Sequence, residues 1–153
     1  MIKEKFNLEG KVALITGASK GIGKAIAMGF AEFGAHVVVS SRDADAVKIV
    51  ENEINSKGFS ASSLKCHVGD SNDRDNLIEN TLKTHGRIDI LVNNAGTNPY
   101  FGPIHKMPKE AYQKTMDINL NSAIDLSNLV SVSYTHLRAH ETEADLVCRL
   151  LLE

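Results

Sequence analysis

Cysteine is scarce in this chain, tryptophan is absent, and no apolar run is long enough to cross a bilayer. The two cysteines, Cys66 and Cys148, lie far apart and without metal-ligand spacing. No disulfide framework and no metal site are expected, and a reducing, cytoplasmic setting is. Excess charge is missing too. The formal net charge is −2, which argues against nucleic acid or an anionic membrane as the main partner. The start, from Met1 to Phe6, has no apolar stretch of signal-peptide length. Internal repeats and low-complexity tracts are absent. Proline is rare, and its three copies, Pro99, Pro103 and Pro108, all fall within ten residues.

What is present is ordinary for a soluble domain. In 153 residues, 42% are hydrophobic and 24% charged, enough for one domain with a real core. The stretch from Val12 to Met28 organises the rest. Val12-Ala13-Leu14-Ile15-Thr16 reads as a buried strand. It breaks into Gly17-Ala18-Ser19-Lys20-Gly21-Ile22-Gly23, a G-x-x-x-G-x-G turn, and continues as a helix through Lys24-Ala25-Ile26-Ala27-Met28. Strand, glycine turn and helix make the first half of a dinucleotide-binding unit. Residues without Cβ let the turn adopt special dihedrals and let its backbone approach a pyrophosphate. The helix then offers free N–H groups and the positive end of its dipole. The plain alternative is a glycine-rich turn that binds nothing.

Taken in order, the rest alternates. His36 to Ser40 reads as a second strand. Asp43 to Lys57 reads as a helix with Val47, Val50 and Ile54 on its inner face. Ser60 to Val68 is a third, more polar strand. Asp73 to His85 is a helix with Leu77, Ile78 and Leu82 inside, stopped by Gly86. Ile88 to Val92 is a fourth strand, running into Asn93-Asn94-Ala95-Gly96. This order implies a doubly wound parallel sheet of the Rossmann type, with the fourth strand left as an edge. The proline loop then lies at the carboxyl end of that strand, where open α/β sheets bind ligands. Pro108 opens a last helix from Lys109 to about Val130, with Tyr112, Met116, Leu120, Ala123 and Val130 facing inward and Asn119 beside them.

Three motifs now stand in sequence: Thr16-Gly17-x-x-x-Gly21-Ile22-Gly23, Asn93-Asn94-Ala95-Gly96, and Asn119 within Asp117-Ile118-Asn119. Together they resemble the short-chain dehydrogenases/reductases, from about Leu8 to Val130. The segment from Asn98 to Ile104 looks most like the carbonyl-reductase-type members. The resemblance implies a cofactor-binding turn at Gly17, Ser19, Lys20, Gly21, Ile22 and Gly23. It implies that the second strand ends at the adenosine ribose. Ser41 stands where relatives preferring NAD carry an acid, and Arg42 follows it, with Lys20 in reach of the same region. A guanidinium fork suits a phosphate dianion, and such a charged hydrogen bond is worth about 1.5–3 kcal/mol. The expected cofactor is therefore NADP(H), with NAD(H) as the alternative. Asp43 is a counter-candidate for the ribose, and a solvated loop charge is the plain reading of Arg42. Relatives place an Asp near the adenine where this chain has His67-Val68. His67 is a candidate to stack or hydrogen-bond there, or is simply an exposed strand-end histidine. Asn94, Ala95 and Gly96 are expected close to the cofactor, their alternative being an Asn/Gly turn.

The resemblance also implies catalysis by a Ser, a Tyr-x-x-x-Lys and a helix Asn, to which Asn119 corresponds. The Ser and the Tyr-x-x-x-Lys are not found. Tyr134 and Arg138 mimic the spacing, but they follow Asn119 too soon and arginine is a poor substitute for lysine. Residues 1–130 are thus expected to be the N-terminal part of a dehydrogenase/reductase domain. Residues 131–153 resemble translated sequencing adapter instead. Their other readings are a metal pair, His136 and His140, without a third ligand, and an amphipathic helix carrying Leu146, Val147, Leu150 and Leu151. The expected function is NADP(H)-dependent interconversion of a carbonyl and a secondary alcohol on a small molecule, inactive in the chain as given. A catalytically dead nucleotide-binding module and a sugar-nucleotide epimerase are the alternatives. Members of the family commonly form dimers or tetramers.

Overall fold

A computed structural model describes residues 6–137, with side chains from 6 to 133. Four parallel strands form one sheet in the order β3-β2-β1-β4. They are β1 (Val12–Thr16), β2 (His36–Ser41), β3 (Ser60–Lys65) and β4 (Ile90–Val92). Every residue of β1 is buried, as a central strand covered on both faces requires. It pairs with β2 from Val12↔His36 to Thr16↔Ser40 and with β4 from Ala13↔Ile90 to Ile15↔Val92.

Helices α1 (Gly21–Glu32) and α2 (Ala44–Ser56) cover one face. Ala27, Ala31, Val47, Val50 and Ile54 pack there on Ala13, Ile15, Val37 and Val39. Helix α3 (Ser71–His85) covers the other, with Leu77 and Ile78 against Val12, Leu14 and Val38. Asp43 and Asp70 cap α2 and α3, accepting the Ala46 and Asp73 N–H groups at 3.0 and 3.1 Å. Gly86 ends α3 at φ 73°, a left-handed cap suited to glycine.

The structure redraws three sequence-based boundaries. The third strand stops at Lys65 rather than Val68, because its partner β2 ends at Ser41. After the Cys66 N–H reaches the Ser41 carbonyl at 2.9 Å, the chain leaves the sheet. The fourth strand starts at Ile90, since the Asp89 carboxylate takes the Val12 N–H at 2.8 Å in place of a ladder carbonyl. Burial alone would raise the Asp89 carboxyl; hydrogen bonds from Arg87 and the Val12 N–H, with the charges of Arg87 and Lys11, outweigh it and hold the group below its usual range.

The largest correction concerns the last helix. It is α4 (Lys109–Met116), a π-helical turn over Asp117–Asn121, and α5 (Ser122–Leu137). Pro108 precedes the helix in extended conformation rather than opening it. A wide turn inserts an extra residue and rotates the following face. Tyr112, before the turn, and Leu120, within it, are both exposed, while Ile118, Leu126, Leu129 and Val130 pack with Leu77 and Ile78. The strand β4 is an edge among the described residues. Ile88, expected on that edge, is buried just before it.

Candidate functional site

A cleft of about 430 Å³ lies at the carboxyl ends of the strands. The connection from β3 returns across the sheet to β4 on the far side of β1, so the cleft sits where the strand order reverses. Gly17, Ser19 and Lys20 line it from the turn after β1. Ser41, Arg42 and Asp43 line it from β2, and Cys66, His67 and Val68 from the end of β3. Asn94, Ala95, Gly96 and Thr97 complete the wall from β4, with Ile118 from the π turn.

The turn is built by close approach. Gly17 has φ +64°, and a Cβ there would stand 2.8 Å from the Ala95 Cα. A Cβ on Gly23 would stand 2.5 Å from the Asn94 amide nitrogen and 2.6 Å from the Gly17 carbonyl. Real Cβ atoms do not tolerate such contacts, so both glycines are required by packing within the chain. Gly21 has φ +58° with open space around it. Helix α1 starts there without a side-chain cap and without an acid in its first turn. Its first N–H groups are thereby left for an anion. Gly21, Ile22 and Gly23 do not line the cleft; Ile22 is 74% exposed and Gly23 is buried beneath the turn.

Asn94 ties β4 to β1. Its amide donates to the Thr16 and Gly17 carbonyls at 2.9 and 3.1 Å. Thr16, which the sequence reading placed in the motif without a role, is the buried centre of this knot. Its hydroxyl donates to the Val92 carbonyl at 3.2 Å and accepts the Asn94 and Ala95 N–H groups at 3.1 Å each. One signal for it was available: Thr16 is the polar residue ending an apolar strand, directly before the first glycine. No comparable signal marks Thr97 and Ile118, which only the folded chain brings to the cleft.

At the β2 end, Ser41 and Asp43 are tied to each other. The Ser41 hydroxyl donates to the Asp43 carbonyl at 3.0 Å, and the Asp43 carboxylate caps α2. At the β3 end, the Cys66 thiol is pushed up to about 12, by burial first and then by the Asp73 charge. It is neutral at physiological pH and is no nucleophile. Arg74 holds this wall, donating to the Val68 carbonyl at 2.7 Å and pairing with Asp125 of α5 at 2.7 Å.

Asn119 is exposed and does not line the cleft. Its amide oxygen accepts the Thr97 N–H at 2.7 Å, and its amide nitrogen donates to the Thr97 carbonyl at 2.9 Å. The π turn frees this side chain to clamp the loop after β4. The Tyr134 and Arg138 side chains, the His136 and His140 pair, Cys148 and the apolar residues 146–151 lie outside the described residues. Among the described residues no group of three His, Cys, Asp or Glu could hold a metal ion, and no helix is long and apolar enough to cross a membrane.

Parallel strands, helices on both faces and a glycine turn opening a cleft at the reversal of strand order define a Rossmann-type fold. Comparison with known proteins takes this class further. Residues 11–140 match the family described as short chain dehydrogenase. Human "Dehydrogenase/reductase SDR family member 4" is 46% identical over 115 residues, 75% of this chain and 41% of that protein. A metagenomic short-chain oxidoreductase solved in complex with NADP is 37% identical with a TM-score of 0.78, over 82% of this chain and 57% of that one. A 7α-hydroxysteroid dehydrogenase solved with NADH and 7-oxo glycochenodeoxycholic acid is 39% identical with a TM-score of 0.79, over 84% and 49%. The chain therefore belongs to the short-chain dehydrogenase family, and it spans less than half the length of the human relative. The match to the family runs ten residues past Val130, where the sequence reading ended the resemblance.

Proposed function

We propose that the cleft binds a nicotinamide adenine dinucleotide, NADP(H) in preference to NAD(H). The observation that carries this reading is the charge at the β2 end. Lys20 and Arg42 both line the cleft there, while the carboxylate of Asp43, the rival for the ribose hydroxyls, is occupied in capping α2. The residues present fit the group. The turn from Gly17 to Gly21, with the uncapped start of α1 behind it, is shaped for the pyrophosphate. Ser19, Ile22 and Gly23 support that turn, with Ser41, Arg42 and Lys20 toward the ribose. His67 and Val68 flank the base, and Asn94, Ala95 and Gly96 take the nicotinamide half. Of the two solved neighbours, one holds NADP and the other NADH.

In this reading the chain serves hydride transfer between a carbonyl and a secondary alcohol on a small molecule, the hydride being supplied or taken up by the nicotinamide when bound. Asn119 acts as a positioning residue, ordering Thr97 through its paired hydrogen bonds. No Tyr-x-x-x-Lys occurs in the 153 residues, so binding without turnover is the expected behaviour of this chain. Fluorescence titration with NADPH and NADH tests the proposal. NADPH should bind more tightly, and Arg42→Ala should cost about ten- to a hundredfold for NADPH with little change for NADH. Tighter NADH binding, or an indifferent Arg42→Ala, overturns the preference.

A further inference from the structure

The cleft wall at the end of β3 lies beyond the sheet that carries it. The ladder with β2 closes at Ser41↔Lys65, and the Cys66 N–H on the Ser41 carbonyl follows it. His67 and Val68, which line the cleft, come after that contact. Their backbone hangs on the start of α3 instead. The His67 N–H is taken by the Asp73 carboxylate at 2.8 Å, and the His67 carbonyl takes the Asp70 N–H at 2.8 Å. The Val68 carbonyl takes an N–H of Arg74 Nη1 at 2.7 Å. Arg74 also reaches out of this segment: its Nη2 donates to the Asp125 carboxylate of α5 at 2.7 Å.

This brace joins two sides of the cleft. Val68 lines it from β3, and Ile118 lines it from the π turn that leads into α5. Both side chains belong to one apolar cluster with Leu126, the neighbour of Asp125. Apolar contact has no direction. A planar guanidinium bonded at both ends has one, so it fixes where the Val68 backbone stands relative to α5. The Arg74 side chain is only 12% exposed, and little water competes for either bond. Arg74 does not itself line the cleft; it acts on a ligand through Val68.

We propose that Arg74 is a positioning residue for the adenosine half of a bound dinucleotide, bracing Val68 against α5 so that the base end of the cleft is preformed. The proposal rests on the dinucleotide reading above, which puts the base beside His67 and Val68. A preformed wall spares the ligand the cost of ordering it. Losing the brace should therefore weaken whatever binds at that end.

Titration of the full chain with NADPH, and displacement of NADPH by adenosine 2′,5′-bisphosphate, its adenosine half, test this. Each variant is measured well below its own unfolding midpoint, where lost stability alone leaves the folded fraction and the affinity unchanged. Arg74→Met, a long side chain without the guanidinium, should weaken both ligands by about tenfold. Arg74→Lys, an ammonium without the fixed fork, should fall between Arg74→Met and the unaltered chain. Asp125→Asn keeps the Val68 bond and loosens its far end, and should weaken both ligands by about two- to threefold. NADPH affinity unmoved by Arg74→Met overturns the role of Arg74 and leaves the dinucleotide reading intact. So does a loss for NADPH without one for the bisphosphate, or a bisphosphate that does not displace NADPH. Should Arg74→Met fail to fold, Asp125→Asn decides, and unmoved affinities overturn the proposal. An unaltered chain that does not bind NADPH or NADH overturns the dinucleotide reading and this proposal with it.

Discussion

The two faces of the sheet are built differently. On the α1/α2 face, alanines and valines at regular spacing seat both helices on β1 and β2, and Lys24 of α1 pairs with Glu53 of α2 at 2.6 Å. On the α3/α5 face the cover includes a helix interrupted by a π turn, held by side-chain hydrogen bonds that cross long stretches of sequence. Arg74 reaches Asp125, and Asn93 reaches the Ser127 hydroxyl at 3.1 Å. Both faces bury apolar area; the second also shapes the cleft, contributing Ile118 and clamping Thr97. Regular packing makes a platform, and the irregular helix on the other side adds Ile118 to the cleft wall and holds Thr97 through Asn119.

Cavity substitutions break the comparison most directly. Ile54→Ala on the α1/α2 face should cost about 2–5 kcal/mol in urea unfolding. Leu126→Ala should cost less, near the low end of that range, because its neighbours Leu129 and Val130 are only partly buried and can relax. Equal losses would mean that the irregular helix packs as tightly as the regular pair.

Two glycines of α1 sharpen the same contrast. Gly23→Ala drives a methyl into Asn94 and the Gly17 carbonyl and should destabilise by about 1–3 kcal/mol. Gly29→Ala, with nothing within 4 Å, should stabilise by about 0.5–1 kcal/mol. Thermal melts of the two variants should therefore move in opposite directions.

A pH series probes the α3 side. His36 and His85 lie with ring centroids 4.1 Å apart, both bonded to the Ser62 hydroxyl. Burial lowers both, and the His85 charge lowers His36 further. A lowered histidine favours the neutral form in the fold, so the unfolded chain takes up protons first. Stability is then full above the unfolded value near 6.5 and falls as pH drops below it. Unfolding midpoints between pH 7.5 and 5.5 should fall, and His85→Asn should flatten the fall. The smallest effect belongs to Ser40, buried at the end of β2 with a hydroxyl that has no partner among the described residues. Ser40→Ala should be neutral or stabilise by up to about 1 kcal/mol, read from the same unfolding curves.

Much of this was legible from residue order. Val12 to Gly23 announced strand, turn and helix because burial on both faces demands an unbroken apolar run and the turn demands residues without Cβ. Val47, Val50 and Ile54 lie inside as their spacing required. The end of β3 was not legible, because a strand's length depends on where its partner stops. Nor was the inner face of the last helix, since one wide turn changes which residues face the sheet and leaves no period to detect.

Local spacing by itself determined the alternation of strands and helices and the glycine turn, because each depends on a few neighbours in the chain; the other residues expected around the cleft came from the resemblance to the family. The tertiary structure alone decided that Thr16 would anchor Asn94 and that Asn119 would clamp Thr97. Those outcomes depend on which hydrogen-bonding groups are already satisfied once distant segments meet, and that count does not exist before the chain is folded.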